Sequence, residues 1–472
     1  MNDNIRGRTA AAESMRGLIN GHVHLPGDPL YDQTRTPWNV AAVQLPAAVA
    51  MPGDAAEVAT VVRAAVDHGL RVAPQSTGHN AGPLAAQRLD DTVLLKTSRM
   101  DRVTSDPVRG VVRAEGGALW EPAVAAAAAH GKAVLHGSSP DVGIAGYTLG
   151  GGIGWYARKL GLAASSVLAA ELVIGDGTLV RVSSEENPEL FWALRGGGGN
   201  FGVVTAIEFR MYPIDSAYAG LLLWDLADLE PVLREWAAWA PTAPDEVTTS
   251  LRVMRFPPMP ELPDFLSGRS VAIIDGAVLG SDEHGARLLA SLRGLRPEMD
   301  TFARVSAASL LRLHMDPEGS GVPVASDSTV LGGLPDAAVE AVLATVGPGA
   351  ESSLLGAELR QLGGALSVPA DHGGALDHLN GSFVSVAIAI AATPELRAAG
   401  YADAVRFTDA LRRYSAGSEY LNFAENETDV ARGFSDEAWL RLQGIRNAVD
   451  PGGLFRANHP IPGLPEGGAA TH

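Results

Sequence analysis

The 472-residue chain contains no cysteine. That absence excludes disulfides, thiolate-bound metals, iron–sulfur clusters and a cysteine nucleophile. It leaves the redox compartment open, since a chain without thiols is indifferent to it. Basic residues are scarce, with 36 Lys and Arg against 54 Asp and Glu and a formal charge of −18. A nucleic acid or an anionic membrane surface calls for a basic partner, so neither is expected. Long apolar runs are also missing. The best, residues 384–392, is interrupted by Ser385 and reaches about half of the roughly 18 residues a membrane span needs. Residues 1–27 carry Arg6, Arg8, Glu13 and Arg16 without a continuous apolar block, which argues against a secretory leader and makes a cytoplasmic location the expectation. No His-Glu-x-x-His and no Gly-x-Ser-x-Gly pattern occurs, so neither a zinc protease nor an α/β-hydrolase is indicated. His372 and His378 fall in a Gly/Asp-rich stretch that reads as solvated loop.

What is present is a globular composition, 46% hydrophobic and 19% charged, over a length that suits two or three interlocked domains. The first part alternates helix and strand patterns. Residues 54–69 read as an amphipathic helix stopped by Gly69, followed by strands at 71–74, 92–95 and 111–114. An alanine-rich helix at 120–130 is closed by Gly131. Residues 169–174 and 179–182 flank a Gly-Asp-Gly turn and read as a hairpin. A helix at 188–194 and a strand at 203–211 complete this part. Beyond Pro213 the texture shifts to long strands at 217–226, 247–256, 271–279 and 382–392, separated by helices such as 229–239. From Glu419 the chain changes again and ends in a helix, 435–449, and a Pro/Gly-rich tail.

Two glycine-rich loops dominate the first half, Gly146-Tyr147-Thr148-Leu149-Gly150-Gly151-Gly152-Ile153-Gly154 and Gly196-Gly197-Gly198-Gly199-Asn200-Phe201-Gly202. Such loops let the backbone approach a flat or anionic ligand and turn N–H groups toward it. Gly197, Gly199 and Gly202 match Gly-x-Gly-x-x-Gly, but the order of elements is wrong for a Rossmann site. That fingerprint needs a strand before it and a helix after it, whereas here a helix precedes and a strand follows. No Gly-Lys-Ser/Thr follows either loop, so a Walker site is excluded as well.

Four segments together resemble the berberine-bridge-enzyme-like FAD-linked oxidases of the vanillyl-alcohol oxidase superfamily. They are Gln75-Ser76-Thr77-Gly78-His79-Asn80; His136 through Gly143, running into Gly150-Gly151-Gly152-Ile153-Gly154; Phe191-Trp192-Ala193-Leu194-Arg195-Gly196 through Gly202-Val203-Val204; and Tyr420-Leu421-Asn422-Phe423, with Asp450-Pro451 and Leu454 to Asn458 beyond. The resemblance implies an α+β fold. A two-part PCMH-type FAD-binding domain, residues 1–212 with a C-terminal segment 419–472 returning to it, would carry an inserted substrate domain, 213–418, built on an antiparallel sheet flanked by helices.

The resemblance also implies the site. The cofactor would be FAD, touched by Gln75, Ser76, Thr77, Gly78, His79, Asn80, Ser139, Pro140, Asp141, Val142, Gly143, Gly146, Tyr147, Gly150, Gly151, Gly152, Ile153, Gly154, Asn200, Gly202, Val203, Val204, Tyr420 and Asn422. In the resembling proteins the loop histidine is bonded to the flavin 8α carbon, a position that His79 matches. A neutral imidazole is nucleophilic near pH 7. Many relatives add a second bond from a cysteine where this chain has Ser139. A hydroxyl cannot stand in for a thiolate at neutral pH, so attachment through His79 only is expected. Gln75 stands where many members have arginine, and Thr77 where many have glycine.

The implied reaction is hydride transfer to FAD from an alcohol-type or amine carbon of a small organic or secondary-metabolite substrate, with O₂ taking the electrons to give H₂O₂. A dehydrogenase, oxidative cyclase or oxygenase using another acceptor is the alternative. Tyr420 is the candidate base, and a packed interface aromatic is the competing reading of the same residue. Asn422, two residues on along an extended segment, is expected on the same side. Arg360 and His314 are candidate pocket residues for which surface or structural roles are the expectation. A monomer or homodimer with a small-molecule substrate, and O₂ as the second partner, completes the reading.

Overall fold

The computed structural model describes residues 11–260, 262–319 and 321–464. The N-terminal stretch read for a leader falls partly on residues 1–10, and most of the Pro/Gly-rich tail on 465–472; both pieces lie outside the described residues.

The helix Ala55–Asp67 forms where the periodicity places it. Asp54 caps it by accepting from the Glu57 amide, and Val58, Val61, Val62 and Ala65 bury one face. Gly69, at φ +66°, then turns the chain into the strand Arg71–Gln75. This strand runs parallel to Thr92–Lys96, with Gln75 opposite Lys96, in a four-stranded sheet completed by Ala48–Ala50 and Val23–His24. A second, five-stranded antiparallel sheet orders Val103–Asp106, Val111–Glu115, Val203–Arg210, Val167–Val173 and Leu179–Ser183. Near its end the chain returns to the first sheet: Val72 donates to the Leu454 carbonyl at 2.9 Å, and Arg456 donates to the Val72 carbonyl at 2.8 Å.

Residues 216–390 supply the third sheet, antiparallel throughout, in the order Met299–Asp300, Ser216–Asp225, Ser270–Val278, Val247–Arg255, Gly356–Gln361, Phe383–Ile390, Val324–Leu331; Ala303–Ser306 also pairs with Ser216–Asp225. Helices Leu229–Trp239, Asp336–Val346 and Pro394–Arg412 cover one face, packing Trp236, Val339 and Phe407 on Leu251, Leu359 and Phe383. Because side chains alternate along a strand, Arg252, Met254, Glu358, Arg360, Ile388 and Ile390 point to the opposite face. The fold is the α+β architecture expected.

Several details differ from the sequence reading. The first glycine-rich stretch is not all loop, since Ile144–Leu149 forms a short helix anchored by buried Ile144, Thr148 and Leu149. The helix beginning at Pro188 runs to Gly197, with Arg195 and Gly196 outside helical geometry. The strands Val324–Leu331 and Gly356–Gln361 escape pattern reading because Asp327, Ser328, Glu358 and Arg360 interrupt their apolar residues. Among the described residues no helix is long and apolar enough to cross a membrane.

Candidate active site

A cavity of about 550 Å³ lies between the glycine-rich segments of the first two sheets and the uncovered face of the third, within the range of small-molecule sites. The loop 75–80, residues 142–150, the turn at 196–200 and residues 420–425 line it.

The loop 75–80 leaves the end of a buried parallel strand and is held from both sides. Thr97 donates its amide to the Gln75 carbonyl at 2.9 Å, and Trp38 donates its amide to the Thr77 carbonyl at 2.9 Å. The Trp38 ring stacks on His79 with centroids 4.1 Å apart and planes at 18°. His79 Nδ1 lies 2.8 Å from Thr77 Oγ1. Its Nε2 is 3.7 Å from Asp141 Oδ1, too long for a hydrogen bond, and is buried without a partner. Asp141 accepts from Ser139 Oγ at 2.8 Å, from Trp38 Nε1 at 3.0 Å and from the Gly319 amide at 2.9 Å. Burial works against the charge on Asp141, but His79, Ser139 and Trp38 outweigh it and hold the carboxyl well below the usual range. The Ser139 hydroxyl is therefore committed to Asp141.

Unpartnered polar atoms concentrate in this loop: Gln75 Nε2, Ser76 Oγ, His79 Nε2 and Asn80 Oδ1 are all buried without a hydrogen bond. Buried polar groups are normally satisfied, so such a row in a loop that lines one cavity marks where a polar ligand belongs. Behind it, Lys96 Nζ donates to Gln75 Oε1 at 3.0 Å. Burial pulls the Lys96 ammonium down to about 8. Lys96 was absent from the sequence reading, because a single lysine closing an apolar strand carries no local signal.

The glycines divide by purpose. A Cβ at Gly150 would run into Asn422 Oδ1, so close packing explains that glycine. Gly146 is the opposite case. It sits in a helix with ordinary φ, lines the cavity, and a Cβ there would meet no atom within 4 Å. Glycine costs a helix about 1 kcal/mol relative to alanine, and nothing in the protein requires it here. A bare backbone face of this kind suits a flat ligand lying on it.

Tyr420 is 2% exposed, and its hydroxyl accepts from the Gly152 amide at 3.0 Å and from Asn422 Nδ2 at 3.3 Å. Asn422 Nδ2 also donates to the Tyr147 carbonyl at 2.9 Å. The expectation of an extended segment is corrected: Leu421–Phe423 is a 3-10 turn, and it is the turn that brings Asn422 back to the phenol. Burial pushes the Tyr420 phenol up to about 12, with Asn422, the Gly152 amide and Arg360 working in the other direction.

Of the surface or structural roles expected for Arg360 and His314, the structural one holds, and both residues also line the cavity. Arg360 Nε donates to Glu358 Oε1 at 2.6 Å, and its Nη2 lies 2.7 Å from His314 Nε2. His314 Nδ1 lies 2.7 Å from Asp275 Oδ2, and Asp275 also receives Arg252 and the Ser250 hydroxyl. Burial and Arg252 disfavour a charged His314 ring, but Asp275 and Glu358 outweigh them and raise its pKa above the usual value. Arg360 and His314 hold Glu358 well below the usual carboxylate range despite its burial. Glu425, with Asn39 Nδ2 at 3.3 Å, is instead raised by burial to about 7.

Of the residues anticipated as cofactor contacts, the loop 75–80, Ser139, Val142, Gly143, Gly146, Tyr147, Gly150, Ile153, Asn200, Gly202, Val204, Tyr420 and Asn422 line the cavity. Pro140, Asp141, Gly151, Gly152, Gly154 and Val203 do not. Asp141 stands behind His79, Gly152 supports Tyr420, and Val203 packs in the core with Val173 and Phe455.

A family described as FAD binding domain matches residues 46–183. The chain is 37% identical over 207 residues to (R)-6-hydroxynicotine oxidase of Paenarthrobacter nicotinovorans, covering 44% of this chain and 45% of that one. It is 32% identical over 228 residues to glucooligosaccharide oxidase of Sarocladium strictum, covering 47% and 46%. It thus spans about half the length of the curated relatives it matches. Among solved structures, 6-hydroxy-D-nicotine oxidase from Arthrobacter nicotinovorans superimposes with a TM-score of 0.80 at 27% identity, over 94% of this chain and 98% of that one. The wild-type BBE-like 1 protein of Physcomitrella patens shares the fold, with a TM-score of 0.80 at 20% identity over 96% and 99%. The chain carries an FAD-binding domain and shares the fold of 6-hydroxy-D-nicotine oxidase and of the BBE-like 1 protein.

Proposed function

We propose that this chain is an FAD-linked oxidase that removes a hydride from an alcohol-type or amine carbon of a small organic substrate. The observation that carries the reading is one cavity bounded on one side by the unpartnered polar atoms of loop 75–80 and the bare face of Gly146, and on the other by Tyr420 and Arg360. The first side suits a flat, phosphate-bearing cofactor, and the second a substrate that must lose a proton. The similar proteins are named for a hydroxynicotine and for oligosaccharides.

FAD would be held by the loop 75–80, by the helix at Gly146 and by the turn at 198–200. When bound, it supplies the hydride acceptor and passes the electrons to O₂, giving H₂O₂. His79 is the proposed covalent tether, and Ser139 provides no second one. Thr77 and Asp141 orient the imidazole ring, and Trp38 fixes its plane. Tyr420 is the proposed base. The Gly152 amide and Asn422 both point N–H groups at its oxygen, and Arg360 adds positive potential, which together offset part of the burial cost that keeps the phenol above its usual value.

The reading also divides the chain into an FAD-binding part, 1–212 with 419–472, and a substrate part, 213–418. The strand sets support it: the two smaller sheets draw on residues 23–210 and the large sheet on 216–390. Acid precipitation of the purified protein tests the tether, with yellow colour expected in the pellet. Aerobic turnover of a substrate that bleaches the flavin is expected to release H₂O₂, and reoxidation by dyes but not by O₂ would argue for a dehydrogenase.

A further inference from the structure

We propose that the substrate is a largely apolar small molecule presenting one neutral hydrogen-bond acceptor next to the oxidised carbon, and not a carbohydrate or a carboxylate. This rests on reading the cavity as the substrate side of a flavin oxidase.

The large sheet's cavity face is polarised along its strands. Arg252, Glu358 and Arg360 occupy one end, while Met254, Ile388 and Ile390 occupy the other. Met254 and Ile388 both stand in register with Gly356, where a third side chain is missing. The charged end is the reactive end, because the Arg360 guanidinium lies 5.4 Å from the Phe423 ring and that ring lies 5.0 Å from the Tyr420 ring. The apolar end reaches the mouth, where Ile390 is 39% exposed. A bound molecule would therefore direct its polar group inward and its apolar part outward.

The inner charges are already balanced. Arg252 is paired with Asp275 and Arg360 with Glu358, and His314 lies between the two carboxylates, with Nδ1 2.7 Å from Asp275 and Nε2 3.6 Å from Glu358. Asp316 also lines the cavity, with the Ser138 hydroxyl donating to it at 3.0 Å. A carboxylate brought here would lose its water, find no unpaired cation among the described residues and face the carboxylates of Glu358 and Asp316.

Arg360 nevertheless keeps one donor nitrogen. Its Nε is held by Glu358 and its Nη2 by His314, whereas Nη1 carries no hydrogen bond and the residue borders the cavity. A planar guanidinium fixed on two sides offers a donor of set direction. It suits a carbonyl, hydroxyl, ether or neutral nitrogen acceptor. A sugar would instead set several hydroxyls against the methyl and methylene groups of Met254 and Ile388, which offer them no partner. Two aromatic faces are also taken, that of Trp38 by His79 and that of Phe423 by Arg360.

The test is titration of the flavin-loaded protein with acetophenone, benzoate and cellobiose, followed by the shift each causes in the flavin absorbance band. Acetophenone is expected to bind at least tenfold more tightly than either of the others in the wild-type protein. Arg360→Met is expected to erase most of that advantage, while Arg360→Lys retains part of it. Benzoate or cellobiose binding as tightly as acetophenone, or acetophenone binding no better than they do, overturns the proposal whatever the variants do. A protein that takes up no FAD overturns the oxidase reading together with it, so the two failures are told apart by the flavin spectrum before any ligand is added.

Discussion

Lys96 Nζ donates to Gln75 Oε1 at 3.0 Å, and Gln75 Nε2, on the same amide, is buried without a partner and borders the cavity. The two residues face each other in the register of parallel strands Arg71–Gln75 and Thr92–Lys96. An ammonium on the carbonyl oxygen polarises the amide and strengthens its free N–H as a donor. The chain thus sets a buried cation directly behind Gln75. Lys96→Met is expected to weaken FAD binding by about tenfold, roughly the value of one hydrogen bond to a charged group. Fluorescence titration of deflavinated protein measures it, with Gln75→Arg expected to restore affinity in the Lys96→Met background.

His79→Ala is expected to move the flavin from the acid pellet to the supernatant while leaving the unfolding midpoint of the protein little changed. Ser139→Ala is expected to leave the colour in the pellet, because the Ser139 hydroxyl serves Asp141 and not the ring. The two pellets can be compared by their absorbance near the flavin band.

Tyr420→Phe removes the oxygen that Gly152 and Asn422 address. A loss of about 10²–10⁴-fold in the rate of flavin reduction is expected, typical of a missing general base. Stability should change by only about 1 kcal/mol, the net value of a hydrogen bond. A rate within threefold of wild type in anaerobic stopped-flow would leave Tyr420 as a packed aromatic only.

Glu425 has a carboxyl raised by burial from 4.5 to about 7. Between those pH values the unfolded chain releases a proton that the folded chain keeps, so stability is complete below about 4.5 and declines as pH rises toward 7. Because the side chain borders the cavity, the decline is expected to be about 1–2 kcal/mol, less than the full shift implies. Urea midpoints of the wild type and Glu425→Gln at pH 5 and pH 8 check it, and the variant should be flatter.

Asp275 is fully buried and receives Arg252, His314 and the Ser250 hydroxyl. Removing one partner from such a group leaves a buried charge without compensation, at a cost of about 3–5 kcal/mol. Asp275→Ala is expected to lose that much stability in urea unfolding, and a loss under 1 kcal/mol would mean that the network relaxes or takes in water.

The parts of this protein legible in its residue order are those with local physical causes. The Asp54 cap and Gly69 stop bound a helix whatever surrounds it, and the turn at Gly177 (φ +79°) closes its hairpin. The helix-before, strand-after order around Gly197 excluded a Rossmann site without any coordinates. The match of loop 75–80 and of Tyr420 to a known pattern identified both walls of the cavity, though the two lie more than 300 positions apart.

The remainder depended on which distant residues became neighbours. Arg360 and His314 read only as polar residues with a surface or structural role, because the chain around them does not show what they pair with. Only the pairing of strands Val247–Arg255 and Gly356–Gln361, with Asp275 alongside, turns them into one balanced cluster beneath the cavity. Lys96 has meaning only opposite Gln75, and Asn422 reaches Tyr420 through a turn that its own sequence does not announce. Composition, capping and periodicity act over a few residues and are written in the sequence. The charge balance that selects a ligand is set by contacts between segments 20 to 300 residues apart, and only the tertiary structure decides those.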